Sequence, residues 1–395
     1  MVPTIYLALT HDWELRGDGS GDIEEIQFAP LQRLLAIYEK FGARTTFLPD
    51  IMQQITFRSL QDEHDCLRQH ADRWDEYVRA AWRKGHDIQL HLHSQWSEAQ
   101  YHNGTWNLQG DWSLLKYNSA GAARMIDSGK NYLENLLAPI DSRYRCVAFR
   151  ASALALAPSP HLLPSLAALG IEVDVSMAAG IYLNNKTLTL DYRNCEERFL
   201  PYYPKMNDAR LVSDKSEPVV CVPLNHFYGS RRAVTKQNLR LAKSRLAGVA
   251  GRRSGTKRAE RPRLDSASRG VTRIYEKLLA PALKRKHLVS DTGRLNYPLM
   301  REMLDSIRRR ARQSGLARVP VVLTNHPKDI RDWEGVERFV GDLAAATDVE
   351  FITLRELADK LKSGEFRISV RSPRSGGQPK AWHGAQPNPR EGTTK

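Results

Sequence analysis

The chain has 395 residues, of which 41% are hydrophobic, and its formal net charge is +14; this apolar content suffices for one large α/β domain or two smaller ones. Its four cysteines form no C-x-x-C pair, which argues against a disulfide framework and against a cysteine-rich zinc module. The N-terminal MVPTIYLALTHDWE lacks a basic leader, and no apolar run approaches the roughly 18 residues of a membrane span, so we expect a soluble, cytoplasmic protein.

Short β-rich runs and amphipathic helices alternate along the chain. Three units consist of an amphipathic helix, a glycine and a β-rich run, and their runs lie in 44-RTTFLPD-50, 85-GHDIQLHLHSQW-96 and 171-IEVDVS-176. Other runs that predict strands are 4-TIYLALT-10, 145-RCVAFR-150, 218-PVVCVPLN-225, 319-VPVVLTN-325 and 349-VEFITL-354. Repeated βα units indicate a parallel sheet. Seven or eight such strands favour a barrel over a two-domain dehydrogenase.

The run from 85 to 96 places His91 and His93 two residues apart. Alternate side chains of a strand share a face, so Gln89 and both imidazoles would lie on one face. A central parallel strand normally has two apolar faces, and a metal site at the strand end would explain the polar one. The alternative is that these are hydrogen-bonded core histidines or belong to an edge strand.

Polar and ionisable residues recur where the predicted strands end, at the edge of a barrel that carries its chemistry. They are Asp12, Glu14, His91, His93, Arg150, Asp174, Asn225, His226 and His326. Carboxylates, imidazoles and an arginine are the residue types that a metal hydrolase needs. Two imidazoles with one carboxylate make an open zinc site, and a second carboxylate is then free to act as general base.

Three further residues have candidate roles in such a site. His326, in 323-LTNHPK-328, would be the general acid, and its alternative is a turn residue. Arg150 would hold Asp12 ionised through a bidentate pair, or would be a surface arginine. Asp174 would orient a catalytic histidine, or would cap a helix.

The order of these motifs resembles that of the polysaccharide deacetylases, metal-dependent hydrolases that remove N- or O-acetyl groups from sugars. The elements similar to the motifs of that family are, in chain order, 9-LTHDWE-14, 42-GARTTFLPD-50, 85-GHDI-88, 149-FR-150, Asp174 and His326. The resemblance spans about residues 4 to 355. It implies an α/β fold: a distorted (β/α)7 barrel over residues 1–365, with a basic, mainly helical insertion at about 228–298 and a basic Pro/Gly-rich tail at 366–395.

By the same resemblance, the catalytic base is Asp12, and Arg150 is the arginine that holds it. Asp174 is the aspartate of the fourth motif, and His326 is the acid. The implied ligands of a divalent metal ion, expected to be zinc, are Glu14, His91 and His93. The second metal histidine of the family corresponds to Gln95, so His93 takes its place only if the strand reaches that residue. As an alternative to Glu14, Asp12 itself binds the metal.

The leading hypothesis is therefore a metal-dependent hydrolase that removes an acetyl group from an N-acetylated sugar or glycan precursor. Nearby aromatic residues would stack on sugar rings or pack in the core, and they are Trp13, Trp96, Trp106 and Trp112. One alternative is the hydrolysis of a non-sugar amide C–N bond on the same fold. Another is a non-catalytic protein that binds a glycan or polyanion with a degenerate metal site. The basic segments lack interleaved aromatics, so no specific nucleic-acid partner is expected.

Overall fold

The computed structural model describes residues 2–185, 187–238 and 286–371. The basic run 251-GRRSGTKRAERPRL-264 and the tail beyond residue 371 lie outside the described residues, so the helical insertion and the tail stay predictions. Within the described ranges, no helix combines the length and the apolar character that crossing a bilayer requires.

Strands and helices alternate as the sequence patterns predict, with additional short strands. The strands are β1 (Thr4–Trp13), β2 (Thr46–Pro49), β3 (Asp87–Ile88), β4 (Leu90–Leu92), β5 (Ala99–His102), β6 (Thr105–Leu108), β7 (Ala148–Ala151), β8 (Val173–Asp174), β9 (Tyr182–Asn184), β10 (Thr189–Asp191), β11 (Pro204–Lys205), β12 (Asp208–Val212), β13 (Val220–Cys221), β14 (His226–Gly229), β15 (Lys286–Val289), β16 (Arg318–Leu323) and β17 (Val349–Phe351). The helices are α1 (Ala29–Lys40), α2 (Ile51–Leu60), α3 (Asp65–Arg83), α4 (Ser119–Leu137), α5 (Leu162–Ala168), α6 (Tyr297–Ser314), α7 (Trp333–Ala344) and α8 (Leu354–Lys362).

Two parallel sheets make the framework. One has the strand order β16-β1-β2-β3, with β17 also paired to β1, and the other has the order β13-β8-β7-β4. Single parallel bridges join the two sheets, one between Asp50 and His91 and one between Leu224 and Val322. The α/β class is as predicted. The described residues do not form the expected closed barrel. They form two sheets joined by single bridges, and the strands nearest the joins, β3, β4 and β13, have only two or three residues.

Helices α1 and α3 show how local sequence sets these elements. The four residues of α1 that the periodicity predicts to face the core are all buried, and they are Leu31, Leu34, Leu35 and Tyr38. Just beyond α3, Gly85 has a φ of +84°, a conformation that glycine adopts without a steric cost. The turn at Gly85 leads the chain directly into β3, and so positions β4 and its histidine.

β1 lies in the middle of its sheet and is buried along almost its whole length. Its residues 4–9 pair with β16, and its residues 10–13 pair with β2. Alternate side chains enter two different core clusters, Ile5, Leu7 and Leu9 on one face and Tyr6 and Ala8 on the other. The strand continues to Trp13, so Asp12 and Glu14 both reach the carboxyl end of the sheet.

Four short antiparallel pairs accompany the parallel sheets, namely β5–β6, β9–β10, β11–β12 and β14–β15. The last of them pairs Gly229 with Lys286, and both residues fall within the insertion predicted at about 228–298. Just beyond β15, Ser290 Oγ accepts a hydrogen bond from Asn225 Nδ2 at 2.6 Å, and Asp291 bridges to Thr324. The β14–β15 pair therefore places residue 291 beside the carboxyl end of β16.

Candidate active site

The predicted metal ligands converge at the carboxyl ends of β1 and β4. Glu14 follows β1, His91 lies in β4, and His93 follows β4; their candidate ligand atoms all lie within 4.8 Å of one another. Glu14 Oε2 is 3.0 Å from His91 Nε2 and 2.6 Å from His93 Nε2. All three side chains are buried. This group can hold a metal ion, and it consists of the three ligands that the sequence predicts.

The donor set fits a divalent transition metal. Two imidazole nitrogens and one carboxylate oxygen are typical of open zinc sites, which leave a coordination position for water. His91 Nδ1 donates a hydrogen bond to the carbonyl oxygen of Arg150 at 2.9 Å, so the neutral ring would direct its Nε2 lone pair into the site. Burial alone would raise the pKa of Glu14, but His93 and Lys328 outweigh burial and hold that pKa well below its usual value. Glu14 is therefore a carboxylate, as a ligand must be.

The backbone stays extended through His93, with φ −105° and ψ 100°. The backbone N–H of His93 donates to Asp50 Oδ1 at 3.1 Å, which fixes the end of the strand. Gln95 follows in the short 3₁₀ turn Ser94–Glu98 and is fully buried. Its Nε2 lies 3.0 Å from His93 Nδ1. The alternation of the strand thus extends to His93, and Gln95 contacts a candidate ligand.

Asp12 and Arg150 form the buried ion pair that the sequence predicts. Arg150 Nη1 donates to Asp12 Oδ1, and at 3.2 Å to Thr324 Oγ1, while Nη2 donates to Thr10 Oγ1 at 2.7 Å and Nε to the carbonyl oxygen of Val175 at 3.3 Å. Neither side chain of the pair is more than 4% exposed. Burial alone would raise the pKa of Asp12, but the Arg150 guanidinium outweighs burial and lowers it. Asp12 is therefore ionised.

His326 lies across the site from the candidate ligands. Its Nε2 is 3.5 Å from Asp12 Oδ2 and 4.0 Å from Glu14 Oε1, and its Nδ1 is 2.8 Å from Asp291 Oδ2. Burial alone would lower the pKa of His326, but the carboxylates of Asp291, Asp12 and Glu14 outweigh burial and raise it above its usual value. The surroundings thus favour an imidazolium near neutral pH, the form that a general acid requires.

Asp174 lies apart from the histidines of the site, which corrects the expectation that it orients one. Its carboxylate accepts hydrogen bonds from the Ser176 backbone N–H at 2.9 Å and from Ser176 Oγ at 2.7 Å. The carboxylate that contacts His326 is Asp291, which sequence reasoning missed. The sequence feature that could have identified Asp291 is its position directly after the β-rich run 286-KHLVS-290, which follows the basic segment.

We expect Asp174→Asn to increase the free energy of unfolding at neutral and alkaline pH. Burial raises the pKa of Asp174 in the folded chain to about 7, well above its value in the unfolded chain. Between about pH 4 and pH 7 this carboxyl group is ionised in the unfolded chain but stays protonated in the folded chain, so the free energy of unfolding decreases as the pH rises. The variant should match the wild type near pH 4 and exceed it by on the order of 1–4 kcal/mol at pH 8. Urea titrations at pH 4, 6 and 8 measure this, and a difference that does not grow with pH would contradict it.

Lys328 is a second site residue that sequence reasoning missed, although it ends the run 323-LTNHPK-328. The short turn Pro327–Asp329 carries it back toward β1. Its Nζ lies 2.5 Å from Glu14 Oε1 and 2.6 Å from the carbonyl oxygen of Leu15. The two carboxylate oxygens of Glu14 thus have different partners: Oε1 faces the ammonium, and Oε2 faces the two imidazoles. This division favours binding of a metal by Oε2 alone.

The four tryptophans near the motifs have different surroundings. Trp13 and Trp96 are 1% and 2% exposed and belong to the main core cluster, so they do not face a substrate. Trp106 stacks on Phe57 with ring centroids 5.3 Å apart. Trp112 lines the cavity at the candidate ligands, where its ring lies against Gly17. Only Trp112 of the four therefore fits the predicted contact with a sugar ring.

Two cavities meet at His326. The smaller, of about 180 Å³, is lined by the candidate ligands Glu14, His91 and His93 together with Asp12, Gly17, Trp112, Ala151, Ala153, Leu154, His326 and Lys328. The larger, of about 590 Å³, is bounded on one side by Leu154 and His326 and extends past Asp291 toward Leu288 and Asn296. Leu154 and His326 line both cavities, so the two cavities adjoin at the imidazole.

No family model matches the chain, and no curated protein matches it. Among solved structures, similar chains include one from Mycobacterium smegmatis assigned as a polysaccharide deacetylase, with 15% identity, a TM-score of 0.47, and 95% of this chain and 96% of that chain covered. A probable polysaccharide deacetylase from Pseudomonas aeruginosa PAO1 has 12% identity, a TM-score of 0.46, and coverage of 92% and 93%. A GH57-type branching enzyme from the archaeon Pyrococcus horikoshii has 11% identity, a TM-score of 0.47, and coverage of 94% and 72%. Identities of 11–15% at TM-scores below 0.5 assign no function to this chain.

Proposed function

We propose that the chain is a metal-dependent hydrolase that removes an acetyl group from an N-acetylated sugar or glycan precursor. One observation carries this proposal: the Glu14, His91 and His93 group lies beside a buried, ionised Asp12 and a carboxylate-bound His326. We further infer that the parallel strands form a distorted barrel of the polysaccharide deacetylase type. The two single bridges between the sheets support this inference.

The three ligand atoms of the proposed metal site would be Glu14 Oε2, His91 Nε2 and His93 Nε2. A bound divalent ion, for which we propose zinc, would supply an activated water molecule and polarise the acetyl carbonyl. The carbonyl oxygen of Arg150 holds the His91 ring in the orientation that directs Nε2 into the site. Lys328 holds the other oxygen of Glu14.

Asp12 and His326 would move the two protons of the reaction. Arg150 occupies Asp12 Oδ1, so Oδ2, on the side of His326, would accept the proton of the attacking water. His326 Nε2 would donate a proton to the departing amine, while Asp291 Oδ2 accepts the hydrogen bond from Nδ1–H and fixes the ring. The smaller cavity would take the acetyl end and the larger cavity the leaving sugar, since His326 lies between them.

A substrate screen tests this proposal. Purified protein with added Zn²⁺ would be given N-acetylhexosamines, chitin oligomers, and linear amides and ureides, and the release of acetate or ammonia would be measured. Release of acetate from the sugars, abolished by Asp12→Asn, is the expected result. Turnover of linear amides alone would show that the substrate is a non-sugar amide and not an N-acetylated sugar. Salt-sensitive glycan binding without turnover, unchanged in His91→Ala, would indicate a non-catalytic binding protein.

We expect Asp291→Asn to lower kcat by about 10–100-fold, the usual range for loss of a residue that orients a catalytic or ligating imidazole. It should also move the alkaline limb of the kcat–pH profile to lower pH. Asp291 raises the pKa of His326, so without its charge the imidazolium loses its proton at lower pH. Steady-state kinetics between pH 5 and 10 measure both effects. Asp342→Asn, which breaks a more exposed ion pair with Arg301, is the control; an unchanged limb in Asp291→Asn would contradict the assignment.

A further inference from the structure

Gln95 is fully buried beside the proposed metal site, and its amide is only partly used. Gln95 Nε2 lies 3.0 Å from His93 Nδ1 and 3.4 Å from the carbonyl oxygen of Gly17, whereas Gln95 Oε1 has no hydrogen-bond partner among residues 2–185, 187–238 and 286–371. A buried amide oxygen without a partner is costly. The oxygen and nitrogen of a carboxamide exchange places when its last torsion angle turns by 180°.

The position of the ring proton decides whether His93 can bind a metal. If Gln95 Nε2–H donates to Nδ1, the proton of a neutral His93 is on Nε2, which then points it at Glu14 Oε2, 2.6 Å away. If the amide is turned, Oε1 accepts from Nδ1–H, and the Nε2 lone pair faces Glu14 instead. The turned amide gives Oε1 this hydrogen bond, while Nε2 moves to the place of the oxygen and gives up its 3.4 Å contact with the carbonyl oxygen of Gly17.

His91 shows the same requirement met by a fixed group. Its Nδ1 contacts the carbonyl oxygen of Arg150, which can only accept, so a neutral His91 carries its proton on Nδ1 and has Nε2 available for a metal. Both imidazoles thus present Nε2 to Glu14 Oε2, and each has one polar group behind Nδ1. For His91 that group is backbone, and for His93 it is the Gln95 side chain.

We propose that Gln95 is the positioning residue of the metal ligand His93: its amide oxygen accepts the Nδ1–H bond and so commits Nε2 to the metal. This inference rests on the proposed function, because it requires the metal site. It also gives a role to a residue that the sequence comparison leaves as a departure from the deacetylase pattern.

Two substitutions of Gln95 distinguish the effect of its hydrogen-bond acceptor from the effect of its side-chain volume. Gln95→Leu keeps the approximate size and removes the acceptor, so we expect the dissociation constant for Zn²⁺ to rise at least tenfold, within the 10–100-fold typical of such outer partners. Gln95→Glu keeps an acceptor and should stay within about threefold of the wild type. The constants would be measured on the full chain by competition with a chromogenic Zn²⁺ chelator, without any substrate.

Gln54→Leu is the matched control. Gln54 is equally buried and also has an unpartnered Oε1, but its amide nitrogen binds Ala71, Asp75 and Tyr132, away from the site. Its Zn²⁺ affinity should equal that of the wild type. If Gln95→Leu binds within twofold of the wild type, or if Gln95→Glu loses as much affinity as Gln95→Leu, the role of Gln95 is overturned. If the wild type itself binds no Zn²⁺, the proposed function fails first.

Discussion

Replacing both His91 and His93 by alanine should abolish metal binding and turnover. The wild type, reconstituted with Zn²⁺ and dialysed, should retain about one equivalent per chain, the content of a mononuclear open site. The double variant keeps only Glu14 of the three ligands and should retain none. Turnover should fall by a factor of about 1,000 or more, since the metal supplies both the activated water and the stabilisation of the oxyanion. Elemental mass spectrometry measures the metal, and acetate release measures the turnover.

The control for this experiment is the double variant His64→Ala/His102→Ala, which removes two histidines that are not buried and lie outside the site. It should keep the metal content of the wild type. Equal metal in all three proteins would show that the ion binds elsewhere. If the wild type holds no metal even after reconstitution, the result favours a non-catalytic protein that binds a glycan.

Arg150→Met should give the largest loss of stability of any single substitution in the site. The variant leaves Asp12 buried without its counter-charge and removes the donors to Thr10 and Thr324. Breaking a buried pair in this way typically costs about 3–5 kcal/mol of unfolding free energy. Because the guanidinium is the largest influence that lowers the pKa of Asp12, its removal should also raise that pKa and reduce turnover by the proposed base. Urea denaturation at pH 7 measures the stability.

Two comparisons isolate the buried charge as the cause. The double variant Asp12→Asn/Arg150→Met has no uncompensated carboxylate, so it should recover about 1–3 kcal/mol of the loss while remaining inactive. Arg193→Met breaks a more exposed pair with Asp191 and should cost less than about 1 kcal/mol. A loss below about 1 kcal/mol in Arg150→Met would mean that Asp12 is not held as an ionised partner.

The parts of the site that the sequence predicts are those set by local backbone geometry. A two-residue alternation places His91 and His93 on one side of an extended segment, and the same alternation pairs Asp12 with Glu14 after β1. An arginine at the end of a β-rich run is then a natural partner for a buried carboxylate, as Arg150 is. These features depend on a few neighbouring residues and on the rule that parallel strands carry their polar groups at the carboxyl ends.

The parts that the sequence does not predict depend on contacts between distant segments. Lys328 reaches Glu14 across 314 residues, and Asp291, which belongs to no recognised motif, reaches His326 across 35 residues. Asp174 shows the opposite case, in which a local contact replaces an expected distant one. Its position at a strand end predicts a hydrogen bond to a histidine, but Ser176, two residues away, donates to both oxygens of its carboxylate. Trp13 and Trp96 flank site residues in sequence, yet their rings turn into the core.

The position of β1 between β2 and β16 has a consequence for how the protein is made. The first six residues of β1 pair with residues 318–323, so this part of the strand lacks its β16 partner until the ribosome has added about 300 further residues. At bacterial or eukaryotic elongation rates this delay is about 15–60 s. Asp12 is held by a backbone hydrogen bond to Asn325, and His326 is the next residue. Assembly of the site is thus one of the last steps of synthesis, and a chain that ends before residue 318 leaves the first six residues of β1 without their β16 partner, as an exposed edge that is prone to aggregation.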